Sequence, residues 1–98
     1  MSQRQVRVAQ SFFDILDRVL PEDRGDDGTP TATDFLAYEL PPIMELLAED
    51  FEANTSPVPD LPTVRVIVRA GMLVARVAVY AALTDDDAVE LLDVALDL

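Results

Sequence analysis

Ninety-eight residues bound this chain to one domain spanning residues 1–98, with room for a single core. Half of the residues are hydrophobic and the mean hydropathy is +0.19, which excludes disorder for most of the length. Nineteen acids stand against seven arginines, with no lysine and no histidine, so the net charge is −12. Such a field repels nucleic acid and anionic membrane unless the arginines gather on one face. It fits a salt-adapted or high-GC proteome in which acidity serves solubility, or a surface that meets a basic partner. The absence of cysteine removes disulfides and thiolate chemistry. Arg65, Arg69 and Arg76 interrupt the only stretch that approaches the roughly 18–20 apolar residues of a membrane-spanning helix. Met1-Ser2-Gln3-Arg4-Gln5 leads into no signal-peptide core, so the expected location is cytoplasmic.

In chain order, residues 3–10 alternate polar and apolar around Val6 and Val8, beside Arg4 and Arg7. This suits a short first strand, with a frayed helical start as the other reading. A helix is expected from Ser11, whose hydroxyl suits the orphan amides of a first turn. Phe12, Ile15, Leu16 and Val19 form its apolar face, and Pro21 stops it. Residues 22–30, with two glycines, a proline and four acids, read as a solvated loop. Asp23, Asp26, Asp27 and Gly28 match the spacing of a calcium loop only superficially and lack its distal glutamate, so no metal is expected.

Thr31 and Asp34 stand at capping-box spacing. The helical pattern that follows runs through Phe35, Leu36, Tyr38, Leu40, Ile43, Leu46, Leu47 and Phe51, interrupted by Pro41-Pro42. The prolines predict either a kink near Leu40 or two short helices in rough line, with Pro42 opening the second. Pro57, Pro59 and Pro62 predict an extended crossing between residues 53 and 63.

Residues 64–98 organise the rest. Val or Ile occupies positions 64, 66, 67, 68, 74, 77 and 79, a density that favours pleated surface. The last run admits a helix through Ala88, Leu91, Leu92, Ala95 and Leu98. It also admits a strand with Leu92, Val94, Leu96 and Leu98 on one face and Asp93 and Asp97 on the other. Composition favours three strands joined by short turns, the middle one central and covered on both faces. The expected fold is therefore α+β: a short N-terminal strand and two or three helices packed on a C-terminal three-stranded antiparallel meander.

This order of elements resembles the RelE/ParE superfamily of small bacterial toxins from toxin–antitoxin pairs. The resemblance is carried by Arg65-Val66-Ile67-Val68-Arg69-Ala70-Gly71, by Arg76-Val77-Ala78-Val79-Tyr80, and by the acidic turn before Val89-Glu90-Leu91-Leu92-Asp93-Val94. It covers most of the chain as a pattern of elements. In the ribosome-dependent RNases of that superfamily, basic residues on these strands hold and cleave messenger RNA, and the last strand usually continues into a basic segment. Here residues 93–98 contain no Lys, His or Arg, and nothing evident supplies the proton transfer that RNA cleavage needs. The resemblance, with this departure from it, points to a cofactor-free protein-binding module that acts by association with an antitoxin-like or target-protein partner, or as a homo-oligomer; a RelE-type RNase stays open, as the less favoured reading, only through Arg65, Arg69, Arg76 and Tyr80.

Arg65, Arg69, Arg76 and Tyr80 are the candidate binding residues, provided the hairpin brings Arg69 near Arg76. The alternative fate of the arginines is ion pairing with Glu39, Glu45 or Glu49. Val89, Leu92, Val94 and Leu96 are the candidate partner edge, if the last strand lies at the border of the sheet. The competing architecture is an all-helical structural or adaptor subunit of a larger assembly such as a virion. Self-repulsion at −12 predicts a clear rise in the thermal midpoint between about 0.05 and 1 M NaCl as the charge is screened. An unchanged midpoint would mean that the acids are already neutralised within the fold.

Overall fold

The computed structural model describes residues 3–23 and 28–97; Asp26 and Asp27 of the acidic loop, and Leu98, lie outside the described residues. The elements are strand β1 (Val6–Val8), helix α1 (Gln10–Val19), short helix α2 (Ala32–Asp34), a π-helical turn (Phe35–Glu39), helix α3 (Leu40–Glu49) and a last helical turn α4 (Phe51–Asn54). Strands β2 (Ser56–Val58), β3 (Leu61–Ala70), β4 (Arg76–Leu83) and β5 (Val89–Asp97) follow. They form one sheet in the order β1-β5-β4-β3-β2. β1 runs parallel to β5, and the other neighbours are antiparallel. This is the expected α+β arrangement with its C-terminal meander, and the all-helical alternative is overturned.

Alternation decides which side of the sheet is covered. Ile67, Val77, Val79, Ala81, Val89, Leu91 and Val94 are buried with Phe12, Leu16, Phe35, Ile43, Leu47 and Phe51 from the helical segments. Removing one such aromatic from water is worth about 1.5–3 kcal/mol, so three fully buried phenylalanines anchor the layer. The opposite side carries Val64, Val66 and Val68 of β3, Ala78, Tyr80 and Ala82 of β4, and Leu92 of β5, all partly or largely exposed. β4 is central, but it is covered on one face only, contrary to the expectation.

Several local expectations are corrected. α1 starts at Gln10 with Ala9 at its N-cap and no side-chain cap; the Ser11 hydroxyl instead donates to the Leu92 carbonyl (2.9 Å). Its buried face is Phe12, Leu16 and Leu20, a spacing of four, which leaves Val19 46% exposed. The Thr31 capping box is present: Thr31 Oγ1 accepts from Asp34 N (3.0 Å) and Asp34 Oδ2 from Thr31 N (3.1 Å). A helix boundary does fall at Leu40: the π-helical turn ends at Glu39 and α3 begins, with Pro41 and Pro42 both in its first turn, so that Leu40 and not Pro42 opens it; the Leu40 N–H bonds back to Phe35 O.

The proline-rich crossing is not merely extended. Residues 59–60 make a tight turn, with Asp60 at φ 66°, and Val58 pairs with Leu61, so β2 adds a fifth strand. Pro57 is tolerated because β2 lies at the border, where one row of amides needs no partner.

At the far end of the sheet, buried Glu39 holds the β3–β4 turn. Its carboxylate accepts from Met72 N (2.8 Å) and Leu73 N (2.7 Å) and is 5% exposed. Gly71 makes the approach possible: a Cβ there would lie 2.9 Å from Glu39 Oε1 and 2.4 Å from the Val74 carbonyl. Replacing Glu39 with alanine should leave two turn amides without this acceptor and cost about 2 kcal/mol in urea unfolding. Amide exchange at Met72 and Leu73 should accelerate selectively. Unchanged exchange at both would show that the carboxylate does not hold the turn.

Candidate functional site

The four candidate binding residues do not converge. Ala70 pairs with Arg76, and Arg69 with Val77, one residue away from the register that would join the arginines. Arg65 and Arg69 alternate with Val66 and Val68 and lie on the helix-covered side, whereas Arg76 and Tyr80 lie on the other. Arg65 is engaged structurally. Its Nε donates to Thr55 Oγ1 (2.7 Å), and one terminal nitrogen donates to the carbonyls of Thr55 (3.0 Å) and Glu52 (3.2 Å), completing the C-terminal end of α4. Arg76 faces Asp97 across the β4–β5 ladder at 3.9 Å, with both side chains largely exposed. Arg69 lines a small hollow of about 130 Å³ with Glu39, Pro42, Ile43, Ala70 and Met72, and its side chain makes no ion pair or hydrogen bond among the described residues. None of the three arginines pairs with Glu39, Glu45 or Glu49.

The candidate partner edge is also rearranged. β5 is not a border strand along its first half, because β1 pairs with it from Val89 to Leu91. A bulge follows: Ala81 faces Leu91 and Tyr80 faces Asp93, so Leu92 is the extra residue. The bulge reverses the expected faces. Val89 and Val94 are buried in the core and Leu96 is half-buried, whereas Leu92 turns to the uncovered side with Asp93. Two edge groups beyond β1 are also occupied, the Leu92 carbonyl by the Ser11 hydroxyl and the Val94 amide by the Asp93 carboxylate (2.7 Å).

What the fold does bring together is the uncovered face. Leu61, Val64, Tyr80, Leu92 and Asp93 join Ser11 and Ile15 of α1 around a concavity of about 440 Å³. Val68, 57% exposed, extends the apolar surface along β3. Tyr80 is the one candidate residue within it. The valines that make the face were legible as alternation in residues 64–68; they are uncovered because the helices bury their core residues on the other side, with Ser11 and Ile15 of α1 reaching the rim of this one.

Among the described residues no cluster of His, Cys, Asp and Glu could hold a metal ion. No described helix is long and apolar enough to cross a membrane. Charge is organised where β1 meets the β4–β5 turn. Arg7 pairs with Asp86, Arg4 Nε with Asp87 (3.3 Å), and Val89 N donates to Gln5 O (2.8 Å). The hydrogen bond from Arg7, a second from the Thr84 hydroxyl and the Arg7 charge lower the Asp86 carboxyl from 3.8 to about 2. A carboxylate depressed in this way contributes fully above its unfolded value and loses that contribution as pH falls through its folded value. The thermal midpoint should therefore decline between pH 3.8 and about 2, and Asp86→Asn should flatten part of the decline. The effect is small, because solvent screens an exposed pair. An identical slope in the variant would separate this pair from folding.

Comparison with family models, with curated proteins and with solved structures found no match, so the reading of function rests on this geometry.

Proposed function

We propose that this chain is a non-catalytic protein-binding module, akin to RelE/ParE toxins in its order of elements, that acts by association through the uncovered face of its sheet. The carrying observation is the apolar surface of Val64, Val66, Val68, Tyr80 and Leu92 around the 440 Å³ concavity. A sheet with helices on one side normally presents a polar opposite face, and a contiguous apolar one marks an interaction site. Tyrosine at the centre of such a patch has the amphipathic surface that binding hot spots favour.

Association is favoured over RNA cleavage by the engagement of the basic residues. Arg65 is spent on the Thr55 hydroxyl and main-chain carbonyls, Arg76 faces Asp97, and Arg69 lies four residues along β3 from Arg65 and on the opposite side of the sheet from Arg76. Phosphate recognition needs several cations aimed at one place, and a net charge of −12 opposes the approach of RNA.

Co-expression with the products of adjacent reading frames tests the reading. A complex should co-elute with the chain, and Val66→Asp should abolish it while Arg69→Ala leaves it intact. Growth arrest by the chain alone, with RNA cleavage that Arg65→Ala or Arg76→Ala abolishes, would overturn the proposal in favour of catalysis.

A further inference from the structure

We infer that the open half of the β3 border is a strand-addition site for an extended segment of another protein, one that carries aspartate or glutamate opposite Arg69. This surface is the border of the sheet, apart from the concavity on its face. β2 pairs with β3 only at Leu61, Arg65 and Val66, so from Ile67 to Ala70 β3 is itself the border strand. The direction of main-chain hydrogen bonding alternates along a strand, and the β3–β4 register runs unbroken from Arg65 to Ala70. Gly71 N donates to Ala75 O across that ladder (3.3 Å), so Arg69 and Ile67 also turn their main chain toward β4. The bond from Thr84 N to Ala88 O (2.8 Å) sets the same phase from the other end: it points Ala82 at β5, and therefore points Ala81, opposite Arg65, at β3. Pro57 agrees with it, standing opposite Arg65 where β3 offers nothing to bond. Val68 and Ala70 consequently turn outward. Their two amides and two carbonyls meet no partner among the described residues, and Val68, Arg69 and Ala70 are all exposed.

Charge and register select the occupant. An antiparallel strand in line with β2 would form hydrogen-bonded pairs with Val68 and Ala70. Its intervening residue would lie directly across from Arg69, in the non-hydrogen-bonded pair where side chains approach most closely. Arg69 makes no ion pair or hydrogen bond among the described residues and lines the hollow of about 130 Å³ on the helix-covered side. Glu39, the other charged group of that hollow, has its carboxylate oxygens on the Met72 and Leu73 amides. A carboxylate is thus the group that this position selects, with β-branched residues on either side of it beside Val68 and Ala70. A second copy is refused: the two-fold register that uses both outward residues sets Arg69 against its own image. The net charge of −12 acts on the net charge of the segment and is screened beyond about 8 Å at physiological salt, whereas the pair with Arg69 is a contact.

The test titrates the full chain, labelled for NMR, with a capped seven-residue peptide of valine and threonine. It has glutamate at its centre between two valines and lysine at one end, so it is neutral overall. One control exchanges the two charges; another is N-methylated at the two valines, which removes the donors that Val68 and Ala70 would accept. The first peptide should bind with Kd below about 1 mM and slow amide exchange at Val68 and Ala70. The charge-exchanged peptide should bind about threefold or more weakly, and the N-methylated one at least about tenfold more weakly. Arg69→Glu should reverse the preference between the two charged peptides, a reversal that loss of fold does not produce. Leu92→Asp, in the concavity, should leave the affinity unchanged. Failure of the first peptide to bind, equal binding of the charge-exchanged or N-methylated peptide, or loss of binding with Leu92→Asp would each overturn the inference. So would a chain that binds no peptide yet dimerises as Arg69→Thr, since Arg69 would then serve only to keep copies from pairing.

Discussion

The carboxylate of Glu39 is the constraint on which the two layers of this protein depend. It lies at the end of the π-helical turn, 5% exposed, and satisfies the Met72 and Leu73 amides of the β3–β4 turn across the helix–sheet boundary. A buried carboxylate without a cation is costly unless main-chain dipoles surround it, and here two adjacent N–H groups point at its oxygens. The bond fixes the π-helical turn against the sheet, and with it Phe35 and Leu40 on either side. Gly71 is the corresponding concession in the strand layer, because a Cβ would displace either the Val74 carbonyl or the carboxylate. Helix layer and hairpin are thus registered by a polar contact at one end and by phenylalanine packing along the middle.

The same economy acts at the β5 border of the sheet. β1 is only Val6–Val8, yet its parallel pairing covers the first half of β5, and the Arg4–Asp87 and Arg7–Asp86 pairs fasten it to the β4–β5 turn. The bulge at Leu92 then turns Val94 inward while exposing Leu92, so one inserted residue serves both the core and the outer face. Without it, strict alternation would keep Leu91 and Val94 on opposite faces.

Much of this architecture was legible in the sequence, and the failures have physical causes. β-branched density identified β3 and β4, and the Thr31–Asp34 pair identified a helix start that forms as a capping box. The proline-rich crossing concealed β2, because proline opposes a strand everywhere except at a border and the border position is a tertiary property. The bulge was invisible for the same reason: Leu91, Leu92 and Val94 fit either register until Tyr80 and Ala81 choose between them. The arginines misled by a single residue. Pairing Ala70 with Arg76 sends Arg69 and Arg76 to opposite sides, and whether a cluster exists at all turned on that step. Glu39 read as an ion-pair candidate, since nothing local reveals that a distant turn will offer it two amides.

Acidity and the bare apolar face bear on one another. Exposed valines and a tyrosine on one side of a small sheet invite self-association, and a net charge of −12 opposes it at the distances over which chains first meet. Among the described residues, Asp93 at the concavity has no arginine partner, whereas the carboxylates at the β1 junction and the β4–β5 ladder are paired with arginine. Charge paired within the fold stabilises it locally; charge left unpaired beside an apolar surface acts on whatever approaches. The field that repels a second copy would attract a surface of opposite sign, and an apolar floor offers the contact area that exposed charges alone do not.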